Sequence, residues 1–335
     1  MRTELQQPSD SANRLSHNES PYTPPINFEV ILQNFEMNRY PDASYQELTA
    51  LLAQMNGVRS EELILSNGSD DCIRMVIDAY TQPGDALIIP TPTFTQYTKQ
   101  AQITYRRPIE VIQPDMQLNL PDLAQVVKAT DAALIFICSP NNPTGITITE
   151  KALREFLDQT TCMTLLDEAY CEFSTQSLIG LISEYPRLTI IKTLSKAYGM
   201  AGLRVGYAVS NRENIKKLEN VRAPYALSSL SAHIALYALQ NTDFYEETSQ
   251  LIQAEKKIFL NRLSTFKDIK VFPSEANFLL IEAKGKIPAL KIRFNHAKVP
   301  IRFFDDPILQ DAFRITIGNT KTMTQVYAIL KEVLG

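Results

Sequence analysis

The sequence has 335 residues, 44% of them hydrophobic, which is enough for two packed subdomains and excludes a disordered chain. Its 33 basic and 37 acidic residues nearly cancel to a net charge of −4, and no basic stripe breaks that balance, so nucleic acid is excluded as a partner. Residues 1–18 carry no apolar signal core, and the longest apolar run, Ala132 to Cys138, is far too short to span a membrane, so a cytoplasmic location without membrane contact is expected.

Residues 1–14 read as a mobile polar start, followed by Leu15 to Pro21 and then Pro24-Pro25, whose prolines impose an extended arm. Asn38 to Asp42 is a turn. Leu48, Leu51, Leu52 and Met55 recur at helical spacing, and Gly57 ends that helix. Ile64-Leu65 predicts a short strand. It runs into Ser66-Asn-Gly-Ser-Asp-Asp and a helix with Ile73, Val76, Ile77 and Tyr80 on its apolar face. A Gly-Ser-Asp turn opening a helix presents unpaired N–H groups and a dipole end to an anion, although it would serve equally as an ordinary cap.

Strands are predicted over Ala86 to Ile89, Ile109 to Ile112, Ala132 to Cys138, Met163 to Leu166 and Leu188 to Ile191, with helices over Leu120 to Lys128 and Thr149 to Gln159. Pro90 to Tyr97 places aromatics just past the first of these strands. This alternation predicts an α/β chain built on a mostly parallel sheet with helices on both faces. Ligands of such sheets lie beyond the carboxyl ends of the strands, where Asn142, Asp167 and the pair Ser195 and Lys196 each follow an apolar run that has just stopped. A lysine carried by a strand end into a turn is placed to lose solvent and become a neutral nucleophile. Beyond about residue 240 the pattern becomes a smaller α+β module. It has a long helix over Phe244 to Phe266, extended segments at Val271-Phe-Pro, Asn277 to Ile281, Val299 to Phe303 and Phe313 to Ile317, a helix near Ala289 to His296 and a last helix to Leu334.

Cys72, Cys138, Cys162 and Cys171 form no C-x-x-C pair and lie in or beside apolar segments, as buried free thiols of a reducing compartment would. The three histidines are scattered, so no metal site is expected. No G-x-G-x-x-G or P-loop pattern supports a nucleotide-binding protein.

The run Thr193-Leu-Ser-Lys-Ala, followed by Ala201-Gly-Leu-Arg-Val-Gly, resembles the lysine segment of the fold-type I, class I/II aminotransferases, in which the lysine holds pyridoxal 5'-phosphate as a Schiff base. The resemblance covers nearly the whole chain. It implies that Lys196 is that lysine, with Ser195, Arg204, Ser69 and Asp70 around the cofactor phosphate. It further implies that Asp167 faces the pyridine nitrogen, that Asn142 and Tyr170 donate to the ring oxygen, and that Phe94 stacks on the ring. Tyr40 would reach the phosphate of a neighbouring subunit in a homodimer, and Arg314 would grip a substrate carboxylate by bidentate pairing. Taken singly each has a plainer reading: a loop lysine, a solvated strand end, an ion-pair arginine, a core phenylalanine, a turn tyrosine. Their common order along the chain carries the resemblance.

Within that family the shared runs Asn38-Arg-Tyr-Pro, Ser139-Pro-Asn-Asn-Pro-Thr-Gly, Asp167-Glu-Ala-Tyr, Glu275-Ala-Asn-Phe and Arg314-Ile-Thr-Ile-Gly most resemble the histidinol-phosphate aminotransferases. Arg302 sits where that group has an arginine and would add a second anion anchor beside Arg314 and Asn142 in the substrate site. That group carries a longer arm with a pocket-closing tyrosine, whereas the fourteen residues before Leu15 here contain none. The implied division is an arm over residues 1–34 packing with the small domain, a large domain over 35–240 and a small domain over 241–335. The implied activity is ping-pong amino transfer from a small-molecule donor to 2-oxoglutarate. An aromatic amino-acid aminotransferase and a threonine-phosphate decarboxylase remain as alternatives, and a regulator would need an added DNA-binding module.

Overall fold

Strands covered on both faces are apolar at most positions, with alternate side chains entering different cores. In the computed structural model, which describes residues 14–33, 35–174 and 176–335, seven strands form one sheet whose inner strands are mostly apolar, whereas the edge strand over Arg107–Ile112 is partly exposed and carries Arg107 and Glu110. They are β1 (Leu63–Ser66), β2 (Ala86–Thr91), β3 (Arg107–Ile112), β4 (Leu134–Cys138), β5 (Met163–Asp167), β6 (Leu188–Thr193) and β7 (Gly206–Val209). Their spatial order is β1-β7-β6-β5-β4-β2-β3. The run β3-β2-β4-β5-β6 is parallel, and β7 is antiparallel to both β6 and β1. On β4, Ile135 and Ile137 enter one core while Leu134 and Phe136 enter the other.

The helices are α1 (Phe28–Leu32), α2 (Gln46–Met55), α3 (Ser69–Tyr80), α4 (Gln96–Ile103), α5 (Leu120–Thr130), α6 (Glu150–Gln159), α7 (Arg212–Val221), α8 (Ser229–Leu239), α9 (Thr242–Leu263), α10 (Ile287–His296) and α11 (Thr320–Leu334). Helices α9, α10 and α11 accompany a second, antiparallel sheet of β8 (Lys270–Val271), β9 (Phe278–Glu282), β10 (Arg302–Phe303) and β11 (Ala312–Thr316), ordered β10-β11-β9-β8. Its own core includes Phe259, Phe278, Phe294 and Phe313.

The expected polar start lies, apart from Arg14, outside the described residues. The arm that follows is pinned to the small sheet. Leu15 is buried in the small core, bridges Ile301 in parallel and donates its N–H to the Pro300 carbonyl at 2.9 Å. The strand expected over Val299 to Phe303 is shorter, spanning Arg302–Phe303. Strand β7 and helices α4, α7 and α8 were not anticipated. Helix α4 buries only Tyr97 and Ala101, and β7 is four residues long, so neither leaves a periodic signal. All four cysteines are free and buried. No helix among the described residues is long and apolar enough to cross a membrane.

Candidate active site

Because β4, β5 and β6 are parallel neighbours, their carboxyl ends open on one side, and the residues following them converge. A cleft of about 970 Å³ there is lined by Ser69, Asp70, Phe94, Asn142, Asp167, Tyr170, Ser195, Lys196, Arg204, Arg302 and Arg314. Eleven of the twelve residues singled out from the sequence therefore meet in one place. Tyr40 is the exception: it is 80% exposed, stacks on Tyr225 at 4.6 Å and does not line this chain's own cleft.

One end of the cleft is shaped for an anion. Ser69 and Asp70 are the first residues of α3, whose leading N–H groups have no partner within the helix. Arg204 closes this end in a left-handed conformation (φ 55°), its guanidinium 3.2 Å from Asp70 and 3.5 Å from the Ser195 hydroxyl. Gly206 lets β7 approach the same turn: a Cβ there would stand 2.4 Å from the Gly68 carbonyl carbon and the Ser69 nitrogen. Both partners of the Arg204–Asp70 pair are about half exposed, so that pair adds little stability by itself and leaves the guanidinium available.

The two acids at the end of β5 face opposite ways. Glu168 accepts from the Leu178 N–H and the Ser177 hydroxyl at 2.6 Å each and lies 3.6 Å from buried Lys192. Asp167 alone faces the cleft. It is 3% exposed, accepts from the Tyr97 hydroxyl at 2.6 Å through one oxygen, and accepts from the Ala169 N–H at 2.9 Å through the other. Burial pushes its carboxyl up to about 6, and those two bonds pull it back only in part.

Tyr170 is buried, and its hydroxyl accepts from Asn18 at 3.0 Å and from Asn142 at 3.5 Å, while desolvation pushes its phenol well above the ordinary range. Lys196 lies 5.8 Å from the centre of the Tyr170 ring and donates to the His17 carbonyl at 2.9 Å. Desolvation, aided by the nearby Arg314 charge, lowers its ammonium to about 8. A sizeable fraction of this amine is thus neutral near physiological pH, as a nucleophile requires.

At the other end, Arg302 on β10 pairs directly with Arg314 on β11 across the small sheet. Like charges opposite one another in a sheet repel. Arg314 is 7% exposed, donates to the Ser16 carbonyl at 2.7 Å and to Asn142 Oδ1, and its Nε has no partner among the described residues. Desolvation, opposed by Tyr170 and reinforced by Arg302, brings it down to about 10. An anion placed here would relieve both the repulsion and the missing partner.

Two contributors escaped the sequence reading. Tyr97 follows the aromatic Phe94 by three residues on α4, but nothing local announces that its hydroxyl reaches Asp167 on another strand. Asn18, buried at φ 56°, ties the arm to Thr316, Asn277 and Tyr170. Its one local signal is the side chain's tolerance of a left-handed backbone.

The cleft and the two sheets have the architecture of the fold-type I aminotransferases. A histidinol-phosphate aminotransferase from Sinorhizobium meliloti, solved in complex with pyridoxal-5'-phosphate, superposes with a TM-score of 0.87 at 21% identity, covering 96% of this chain and 90% of that one. The L-threonine-O-3-phosphate decarboxylase of Porphyromonas gingivalis shares the fold at a TM-score of 0.78 and 21% identity, over 96% of this chain and all (100%) of that one. In sequence, residues 12–330 match the family Aminotransferase class I and II. The histidinol-phosphate aminotransferase of Caldanaerobacter subterraneus subsp. tengcongensis is 32% identical over 96% of this chain and 93% of that protein. The chain belongs to the class I and II aminotransferases.

Proposed function

We propose that the chain is a pyridoxal-phosphate enzyme that moves the amino group of histidinol phosphate to 2-oxoglutarate, working in the cytoplasm as a homodimer. The observation that carries the substrate reading is the direct pairing of Arg302 with Arg314 at the cleft, with one buried guanidinium nitrogen unpartnered. Two converging cations suit a phosphate in one half-reaction and the carboxylates of 2-oxoglutarate in the other. The similarity to the Caldanaerobacter protein supports the same substrate.

The donor set fits the cofactor. Ser69, Asp70, Ser195 and Arg204 form an anion cup in which Gly206 leaves no room for a Cβ. Asp167 offers a carboxylate, Phe94 an aromatic wall, Asn142 and Tyr170 polar hydrogens, and Lys196 a lowered amine. When bound, pyridoxal phosphate supplies an electron-accepting ring that stabilises a carbanion at the substrate Cα. The protein's own steps follow from the residues. Asp167 holds a proton on the ring nitrogen. Lys196 would hold the cofactor through its lowered amine, and the same amine would move a proton at the substrate Cα as general acid and base. Arg314 and Arg302 orient the substrate so that its Cα–H faces Lys196. Residues 35–240 serve as the cofactor domain, and residues 241–335 with the arm over 1–34 as the domain that carries the arginines.

The test is a single half-reaction. The protein is loaded with pyridoxal phosphate and given histidinol phosphate, phenylalanine or threonine phosphate separately, with pyridoxamine phosphate and carbon dioxide assayed. Fast conversion by histidinol phosphate and slow conversion by phenylalanine are expected. Preference for phenylalanine, or carbon dioxide from threonine phosphate, would overturn the substrate reading.

The homodimer rests on Phe28, Val30, Leu32, Met37 and Tyr40, which stay exposed along one stretch of chain, and on the absence of Tyr40 from its own cleft. Such apolar exposure suits a second copy. Tyr40→Phe, which removes one hydroxyl, is expected to weaken cofactor retention about tenfold without dissociating the dimer. Dialysis against a cofactor scavenger, with sedimentation in parallel, measures both. Unchanged retention would exclude the cross-subunit contact.

A further inference from the structure

Asp167 is held from behind by a side chain with no place in the scheme above. The Tyr97 ring is fully buried, stacked on Phe136 at 4.8 Å and 11°, and meets the Phe94 ring edge-on at 5.6 Å. Clamped in this way, it has one direction in which to aim its hydroxyl, and that direction ends on Asp167 at 2.6 Å. The Ala169 N–H occupies the other carboxylate oxygen. Each oxygen therefore keeps lone pairs for a partner in the cleft, and the carboxylate plane is fixed from two sides.

We propose that Tyr97 is a positioning residue whose hydroxyl keeps Asp167 ionised and aimed, so that the proton shared with the cofactor's ring nitrogen rests on the ring. This rests on the reading of Asp167 as partner of that nitrogen. The physical case is a competition. A buried carboxylate facing a buried pyridine can exist as an ion pair or, with the proton moved across, as two neutral groups. Low polarity favours the neutral pair. A phenol donating to the carboxylate stabilises the ionised form more than the neutral one and tilts the balance toward the pyridinium. The other groups facing Asp167 act in both directions: Asp70 on α3 opposes its charge, and Lys196, in the turn after β6, favours it. Tyr97 is the neutral side-chain donor, beside the Ala169 N–H of the backbone, so its contribution survives changes in the charge of the others. The Cys138 thiol of β4, also beside the Tyr97 hydroxyl, is held protonated by burial and adds no charge.

A purely structural tyrosine would pack its ring and satisfy its hydroxyl on whatever acceptor lay near. Tyr97→Phe separates the two roles, because the ring and its stacking on Phe136 remain and only the donor is lost. The measurement is the nitrogen NMR resonance of ¹⁵N-labelled pyridoxal phosphate bound to the purified protein, alongside steady-state kinetics. In Tyr97→Phe the resonance is expected to move from the pyridinium toward the neutral pyridine range. kcat should fall about tenfold with KM little changed, since the lost effect acts on the ring and not on substrate binding. Asp167→Asn serves as the reference. If Asp167→Asn moves the resonance and Tyr97→Phe leaves both resonance and kcat unchanged, the role of Tyr97 is overturned while that of Asp167 stands. If Asp167→Asn itself leaves the resonance in place, the reading of Asp167 falls and the proposal falls with it.

Discussion

Lys196→Ala is expected to lower amino transfer by at least about 10⁴-fold, the upper range for losing a positioned general acid–base, because the same amine also holds the cofactor. The contrast with the rest of the cleft makes the result diagnostic. The anion cup of Ser69, Ser195 and Arg204 and the carboxylate of Asp167 line the same cleft and would hold the cofactor by contacts that do not depend on the lysine. The variant should therefore still retain pyridoxal phosphate, without the absorbance of the lysine-bound form. Cofactor content, absorbance and turnover on one preparation check all three points, and full activity would sink the assignment of Lys196. Added small primary amines should restore part of the proton transfer. The pH dependence has a definite sign. The amine is lowered to about 8, so its neutral fraction is small at pH 6 and dominant at pH 10. Capture of free pyridoxal phosphate by the unaltered cofactor-free protein should accelerate as pH rises toward that value and level off above it. Capture that slowed over the same range would argue for a different nucleophile.

The sequence carried the residues at the strand ends well, for a physical reason. A strand buried on both faces is mostly apolar, so Asn142, Asp167 and Lys196 stand out among the polar groups that gather where such runs end. Parallel neighbours then force those ends together, and convergence of the three follows from topology. Glu168 shows where this reasoning thins. It adjoins Asp167 and has the same chemistry, and only the structure shows it turned away to Leu178, Ser177 and Lys192. Tyr97 and Asn18 act through contacts 70 and 152 residues away in sequence, which no local pattern encodes. The arginine pair was legible as two residues, but their opposition depends on the register of β10 against β11, set by a two-residue strand too short to predict. Helices α7 and α8 were missed for different reasons. The first is half charged and its stripe holds only Ile215, Leu218 and Val221, too few to stand out, and the second is small and apolar nearly all round, so it shows no narrow stripe.

Asp167→Asn should have two effects of opposite sign. Turnover is expected to fall about a thousandfold, because a neutral amide cannot hold a proton on the ring nitrogen and the electron-accepting power of the ring is lost. Stability of the cofactor-free protein should rise. Burial lifts the Asp167 carboxyl from 3.8 to about 6, so between those values the folded state binds a proton that the unfolded chain releases. Stability therefore falls as pH increases through that window, and above pH 6 the whole penalty, about 3 kcal/mol, is in place. Asparagine escapes it, with its amide oxygen accepting from the Ala169 N–H and its amide N–H donating to the Tyr97 hydroxyl oxygen. For a chain of 335 residues this corresponds to a melting temperature about 4 °C higher at pH 8, and to almost no difference at pH 4, where the aspartate is largely neutral in the fold. Loading pyridoxal phosphate should shrink or reverse the gain, because the ionised aspartate then has a cation to face and the amide does not. Thermal melts of both proteins at the two pH values, with and without cofactor, separate these terms. A variant that lost activity but showed no pH-dependent gain would mean that Asp167 is not held at a cost in the empty cleft. A variant that gained stability and kept its turnover would mean that the cost serves something other than the ring nitrogen. Destabilisation that activity requires is expected where a buried charge waits for its partner.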